Sequence, residues 1–309
     1  MCCFSTRTEV HGTRIFARLT TQGTQMLAYQ MQYTAEAPTA MILPLPVASP
    51  ADDTSVQWKS LKEYDTFFGD LAAGFPAEPP PQSLFGSRSK SAVAAAAPLP
   101  IHEVGDFVAT FVPSMKDFSR LDPRFVIASD VWAKIPEYRD YGFAVFQLKS
   151  LSGTPHPIAF EFRTRLRDVV YFPTVHIHDG TVHPQGSFDH ALYLQDRRFD
   201  ARVGSYDGPT AADRSTGYVR SKDTLASFAD VGRGAGLLDG GLLVHRTTMQ
   251  GMLPNQDTLV NVTAPAGARS GCGHCATSSG ARSSAVGPGS LALLGLSWII
   301  RRRNGRPRG

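Results

Sequence analysis

Three of the chain's nine histidines fall within the eight residues His176–His183. Val175, Ile177 and Val182 alternate there with His176, His178 and His183. A period of two is the strand signature. Asp179-Gly180 sits between the halves, and an Asp-Gly pair favours a two-residue type I′ hairpin. A loop of those two residues opposes His178 to Thr181, Ile177 to Val182 and His176 to His183. All three imidazoles then share one face, because side chains two apart on a strand point the same way. Directly opposed residues have Cβ atoms only ~5 Å apart, and zinc takes imidazole nitrogens at about 2.0–2.1 Å. Three histidines with an open fourth position is the geometry of catalytic zinc, so zinc is the cofactor the sequence suggests. His190, in the next strand-like stretch Ser187–Leu194, is a fourth candidate ligand, with Asp189 placed to orient a ligand from behind. The plainer reading packs the apolar face on the core and leaves the histidine face to water or other polar groups. Register decides between them, because a one-residue slip turns His183 to the other face.

Two cysteine features carry other chemistry. Loss of Met1 would expose Cys2, whose own α-amine can serve as base, the arrangement of an N-terminal-nucleophile amidohydrolase. Cys272-Gly-His-Cys275 has the spacing of a disulfide-exchange motif, but no βαβ context surrounds it to lower a thiol pKa. The four cysteines form two pairs, Cys2-Cys3 and Cys272/Cys275, with none in the body between, so a disulfide framework does not fold this chain. The zinc reading has no identifiable general base, and no catalytic or cofactor-binding residue is assigned beyond these.

The elements that must position these residues are strands. The chain has 309 residues, 42% hydrophobic and 19% charged, with 28 glycines and 22 prolines. That length buries a sizeable core, and the turn-rich composition favours a mainly β protein with a few short helices (α+β), its antiparallel strands in a sheet or sandwich. Thr13–Arg18 and Met26–Tyr33 flank a hairpin signal at Thr21–Thr24. The prolines of Met41–Val47 predict an edge or irregular extended run. Ser60–Gly74 reads as a helix: Leu61, Tyr64, Phe67, Phe68 and Leu71 follow a three-four spacing, and Ser60 with Glu63 forms a capping box. Tyr141–Leu148 and Pro157–Arg163 are strands, the latter with Ile158, Phe160 and Phe162 on one face. Gly232-Arg-Gly234 is turn chemistry, since no phosphate-loop context surrounds it.

These signals divide the chain into a first β-rich part (1–75), a flexible linker (76–100), a second β-rich part with the histidine hairpin (101–262), a flexible spacer (263–284) and an apolar helix (285–303). The formal net charge of +4 includes Arg301, Arg302, Arg303, Arg306 and Arg308. Without those five the remainder is close to neutral, and no basic-aromatic platform is present, so nucleic acid is not an expected partner. The apolar run 285–300 is just under the ~17–25 residues that span a bilayer. It predicts a membrane tether with the arginines, and hence the C-terminus, on the cytoplasmic side. Met1-Cys2-Cys3-Phe4 has no charged region or long apolar run of a secretory signal.

The tail, with a cysteine, a small-residue spacer, Leu291–Ile300 and Arg301-Arg-Arg303, resembles the C-terminal sorting tails of myxobacterial-type envelope proteins. In the body, Cys2-Cys3-Phe4, the Met41–Val47 proline strand, and Tyr141-Gly-Phe-Ala-Val145 followed by Tyr171-Phe-Pro173 resemble an uncharacterised bacterial envelope family with a cysteine-rich start and a Leu-Pro-Val-Pro-like strand. The resemblance implies an envelope location and supplies no catalytic residues. Three functions remain in competition: a membrane-anchored β-rich binding domain of the bacterial envelope, a metal-dependent hydrolase using the three-histidine site, and an N-terminal-nucleophile amidohydrolase using Cys2.

Overall fold

A computed structural model describes residues 3–76, 99–203 and 217–263 of the chain. The chain opens with β1 (Cys3–Phe4), the hairpin of β2 (Thr8–Leu19) and β3 (Thr24–Ala35), then β4 (Ala40–Leu45) and β5 (Val56–Ser60). Helix α1 (Phe67–Ala73) follows, then β6 (His102–Val104), β7 (Phe107–Val112) and the single turn α2 (Ser129–Trp132). Next come β8 (Gly142–Leu148), β9 (Ser152–Gly153), β10 (Ile158–Arg163) and β11 (Val169–Phe172). The remaining elements are β12 (Gln185–Gln195), α3 (Arg197–Asp200), β13 (Val219–Arg220), β14 (His245–Pro254) and β15 (Thr258–Asn261).

The strands form a large sheet in the order β13-β14-β12-β2-β3-β10-β5, with β9 also on β3, a five-stranded sheet β1-β4-β8-β7-β6, and the pair β11-β15. The protein is therefore mainly β, with antiparallel sheets and a few short helices. β12 and β2 run parallel.

Four layers explain why several strands read as unbroken apolar runs. Ile15, Leu27, Tyr29 and Phe160 of the large sheet pack against Leu43, Phe111 and Phe146 of the small one. Behind the large sheet, Phe16, Ala28 and Ala159 meet Tyr64, Phe67, Phe68 and Leu71 of the α1 region. Behind the small sheet, Ile42, Phe143 and Val145 meet Val131, Trp132, Val175 and Ile177. A central strand covered on both faces has no polar side to alternate with. The 1–75 and 101–262 parts of the sequence share both sheets, so all described residues form one body.

Several expectations change on folding. The helix is shorter: Ser60 ends β5, and α1 begins only after Thr66, without a side-chain cap. The predicted stripe is nonetheless buried, because the turns Tyr64 N→Leu61 O and Phe67 N→Tyr64 O keep near-helical spacing ahead of α1. The proline strand is part of the small sheet. β1 pairs it only at Met41 and Ile42, so Pro44 pairs on one side alone and needs no outward N–H.

The membrane tether is corrected. Among the described residues no helix is long and apolar enough to cross a membrane. The run 285–300, the spacer, Cys272-Gly-His-Cys275 and Cys2 lie outside the described residues, as does most of the linker, 77–98. Leu99, at the linker's end, is buried in the core behind the small sheet.

Candidate functional site

The histidine hairpin does not form. Residues 173–184 contain no strand, although Asp179 still makes the expected turn, accepting from Thr181 N at 3.0 Å with Gly180 at φ +75°. The backbone groups needed for hairpin pairing are bonded elsewhere. Asp257 Oδ1 accepts from Thr174 N at 2.8 Å and Val175 N at 3.1 Å. Asn255 holds His176 by both its backbone N–H and its C=O: Oδ1 accepts from His176 N at 2.6 Å, and Nδ2 donates to His176 O at 2.9 Å. Asn255 Nδ2 also reaches His183 O at 2.9 Å. Phe4 N donates to Ile177 O and Thr8 N to His178 O. The segment is thus held between the start of the chain and the β14–β15 turn, and a buried amide satisfied by these partners does not need a hairpin.

Asp257 also accepts from the hydroxyls of Tyr138 at 2.7 Å and Tyr171 at 2.8 Å, giving its carboxylate four donors. Desolvation raises its pKa against the pull of those donors. Neither Asn255 nor Asp257 stood out in the sequence, where Pro254-Asn-Gln-Asp257 has the composition of any polar loop.

Alternation survives the loss of the hairpin. Val175 and Ile177 are buried in the core behind the small sheet, with Val182 packed against it. His176 points the other way, onto Phe188 with ring centroids 4.1 Å apart, and stacks between His178 at 5.2 Å and His190 at 5.4 Å. Gly186 makes room: a Cβ there would lie 2.8 Å from His176 Nδ1. The structure therefore gathers His176, His178 and His190 into one stack. His183 is left out, its Nε2 lying 3.0 Å from Asp179 Oδ2 on the exposed turn.

The stack holds neutral imidazoles. Burial lowers the pKa of His178 to about 4 and that of His190 to about 4, and it lowers that of His176 further. His190 Nδ1 accepts from Asp189 N at 3.1 Å and lies 3.4 Å from Asp189 Oδ1. Asp189 Oδ2 accepts from Gly12 N at 2.7 Å and faces His11 at 4.0 Å.

The expected metal-binding group is corrected by this arrangement: among the described residues no group of three His, Cys, Asp or Glu side chains is disposed to hold a metal ion. Stacked rings place their faces, not their nitrogens, toward one another, whereas a tetrahedral ion needs converging nitrogens. His245, which the sequence gave no ligand role, is fully buried, with Nε2 3.2 Å from Asp200 Oδ1.

A second feature gathers charge at one end of the large sheet. There an open cleft of about 1220 Å³ is lined by Arg18 and the turn after β2, by Glu161 and the Arg163–Asp168 segment after β10, by Asp196–Arg198 and by Asp239. An adjoining hollow of about 570 Å³ shares Ala48, Glu161 and Arg163 and is walled by polar residues that include Thr54, Ser55 and Gln57. Most of the charges are engaged. Arg198 pairs with Asp196 and Asp168, Glu161 with Lys59 at 3.1 Å and Thr24 Oγ1 at 2.6 Å. Arg18 donates to the carbonyls of Gly236 and Leu237. Arg165 reaches Asp140 O at 2.8 Å and lies over the Tyr141 ring. Arg163, Arg167 and Arg197 are exposed on the cleft, and their guanidinium groups make no hydrogen bond or ion pair among the described residues. The signal was present in the sequence as Arg163-Thr-Arg-Leu-Arg167, three arginines at alternate positions running out of a strand.

No protein-family model matches the chain, and no curated protein does. Among solved structures it is similar to baculovirus P35, with TM-score 0.44 and 14% identity over 84% of this chain and 99% of that one. It is also similar to the chain in the caspase-8/P35 complex, with TM-score 0.39 and 14% identity over 82% and 97%. A mutated baculovirus P35 after caspase cleavage gives TM-score 0.36 and 13% identity over 82% and 98%. Likeness at this level leaves the reading of the cleft to the chain's own residues.

Proposed function

We propose that this β-rich protein is a binding protein that holds an acidic polypeptide segment in the arginine-lined cleft. The observation that carries the reading is the set of three unengaged guanidiniums, Arg163, Arg167 and Arg197, on one open cleft whose other charged side chains are engaged by hydrogen bonds or ion pairs. A guanidinium fork matches a carboxylate in a two-point hydrogen bond. Six arginines against four carboxylates line the larger cleft, so its field is positive. The adjoining hollow continues the surface with hydroxyl and amide groups suited to a peptide backbone, which favours an extended chain over a compact anion.

Fluorescence anisotropy with a glutamate-rich peptide tests this, using a lysine-rich peptide and a single-stranded RNA as comparators. The glutamate-rich peptide is expected to bind, more weakly as salt rises. Replacing Arg163, Arg167 and Arg197 together by Gln is expected to weaken binding at least tenfold without changing the circular dichroism spectrum. Tighter binding of the RNA, or equal binding by the triple variant, overturns the proposal.

A further inference from the structure

Taking the cleft as the binding site argued above, we propose that Arg198 is its positioning residue: it occupies Asp168 and Asp196, the carboxylates that adjoin Arg167 and Arg197, and so keeps those two guanidiniums free for an acidic occupant. Arg167-Asp168 and Asp196-Arg197 are neighbours in the chain, and all four line the cleft. Opposite charges this near pair with one another unless a third group claims one of them. Arg198 makes that claim on both sides. Its Nε and Nη2 hold Asp196 by a two-point fork, at 2.9 Å to Oδ1 and 2.7 Å to Oδ2. Its Nη1 donates to Asp168 Oδ1. A guanidinium can divide its donors between two carboxylates in this way, whereas an ammonium is a single point of charge.

The three residues are fixed by more than their charges. Asp196 Oδ1 also accepts from Arg198 N at 2.9 Å, capping α3, and its side chain is only 7% exposed. Asp168 sits at φ +56°, in the left-handed region that a residue with a side chain enters at a cost. Such a conformation persists where neighbours hold it. Arg198 takes the Asp168 carboxylate, and the Asp168 carbonyl accepts from Val262 N at 2.9 Å. Arg198 thereby buckles the loop after β10 to the end of β12, the two segments that bring Arg167 and Arg197 to the cleft. Its side chain is 43% exposed, so these pairs add little to stability. Their consequence is which arginines remain unengaged.

Phenylglyoxal, which condenses with free guanidiniums, reads that state by mass spectrometry of digests without any peptide ligand. Anisotropy with the glutamate-rich peptide reads binding. Arg198→Gln frees Asp168, whose side chain is half exposed and can turn to either arginine, while Asp196 stays on the α3 backbone. Labelling of Arg167 or Arg197 is expected to slow, and peptide binding to weaken, by about three- to fivefold, the scale of one exposed ion pair. Adding Asp168→Asn is expected to restore both. Adding Asp239→Asn instead gives the cleft the same net charge and is expected to restore neither. Circular dichroism checks each fold. Should the glutamine variant fail to fold, Arg198→Lys, which keeps the charge without the fork, replaces it with the same expectations. Unchanged labelling after Arg198→Gln overturns the proposal. So does rescue by Asp239→Asn equal to that by Asp168→Asn, which would make Arg198 a contributor of charge alone. Parent protein that leaves the peptide unbound overturns the binding role of the cleft, and the labelling pattern distinguishes that failure from a failure of Arg198.

Discussion

At the scale of single residues, the chemistry of this chain lies in how polar groups are positioned. Asn255 closes three hydrogen bonds on backbone of the 176–183 segment, and Asp257 receives four. Asn255→Ala leaves those backbone groups unsatisfied, at about 1–3 kcal/mol for each buried group that water cannot reach. A loss of stability of ~2–4 kcal/mol in urea unfolding is the expected outcome. A variant as stable as the parent would show that the clasp forms only after the segment is otherwise fixed.

The stacked histidines give a pH dependence with a definite sign. His178 and His190 titrate near 4 in the folded protein, against about 6.5 in an unfolded chain. Between those values the unfolded chain binds more protons, so stability is full above about pH 6.5 and falls as the pH drops from there through about 4. His190→Gln is expected to remove on the order of 2–3 kcal/mol of that acid-side loss. Urea midpoints measured from pH 7.5 down to pH 4 read the slope, and parallel curves for variant and parent would contradict the assignment.

At the scale of elements, α1 covers the outer face of the large sheet with a cluster of rings. Phe67 is fully buried and meets Phe16, Tyr64 and Phe68 edge-on at centroid distances of 5.8, 5.5 and 5.1 Å. Phe67→Ala removes this ring and leaves a cavity, which costs roughly 3–5 kcal/mol. Thermal unfolding should show it as a marked fall in midpoint, and a change within error would mean that the layer collapses around the gap. This stripe was legible in the sequence from its spacing, since buried positions at three and four apart need only an approximately helical backbone. The helix start was not legible. A Ser followed by Glu three residues on signals a cap only when no strand claims the serine, and here β5 pairs with β10 through Ser60.

At the scale of the whole molecule, the two sheets interleave distant parts of the chain. The large one joins β2, β3 and β5 to β10, β12 and β14, and the small one joins β1 and β4 to β7 and β8. Neither half can close a sheet alone, because β3 lies between β2 and β10, and β4 lies between β1 and β8. A chain ending at residue 75 is therefore expected to stay unfolded, while the whole described body unfolds in one cooperative step. Circular dichroism of the fragment and coincidence of fluorescence and dichroism transitions for the full chain check both statements. A folded fragment would show that the first hairpin has a core of its own.

The sequence by itself determined the class of fold, most strands and the faces they bury, because periodicity is a property of neighbours along the chain. It also determined that Val175 and Ile177 face the core while His176 faces away. Only the tertiary structure decided what His176 meets. The local pattern offered His183 through a tight turn, but Asn255, Asp257, Phe4 and Thr8 satisfy the backbone that a hairpin would have used, and β12 brings His190 instead. The arginine cleft was divided in the same way. Arg163, Arg165 and Arg167 alternate in the sequence but were not singled out there, and which of them stays unengaged depended on Asp140 and Tyr141 occupying Arg165, while Arg197 joins them from a different strand end. Long-range partners compete for the same backbone and charged groups that local patterns propose to use, and their positions are set only when the sheets assemble.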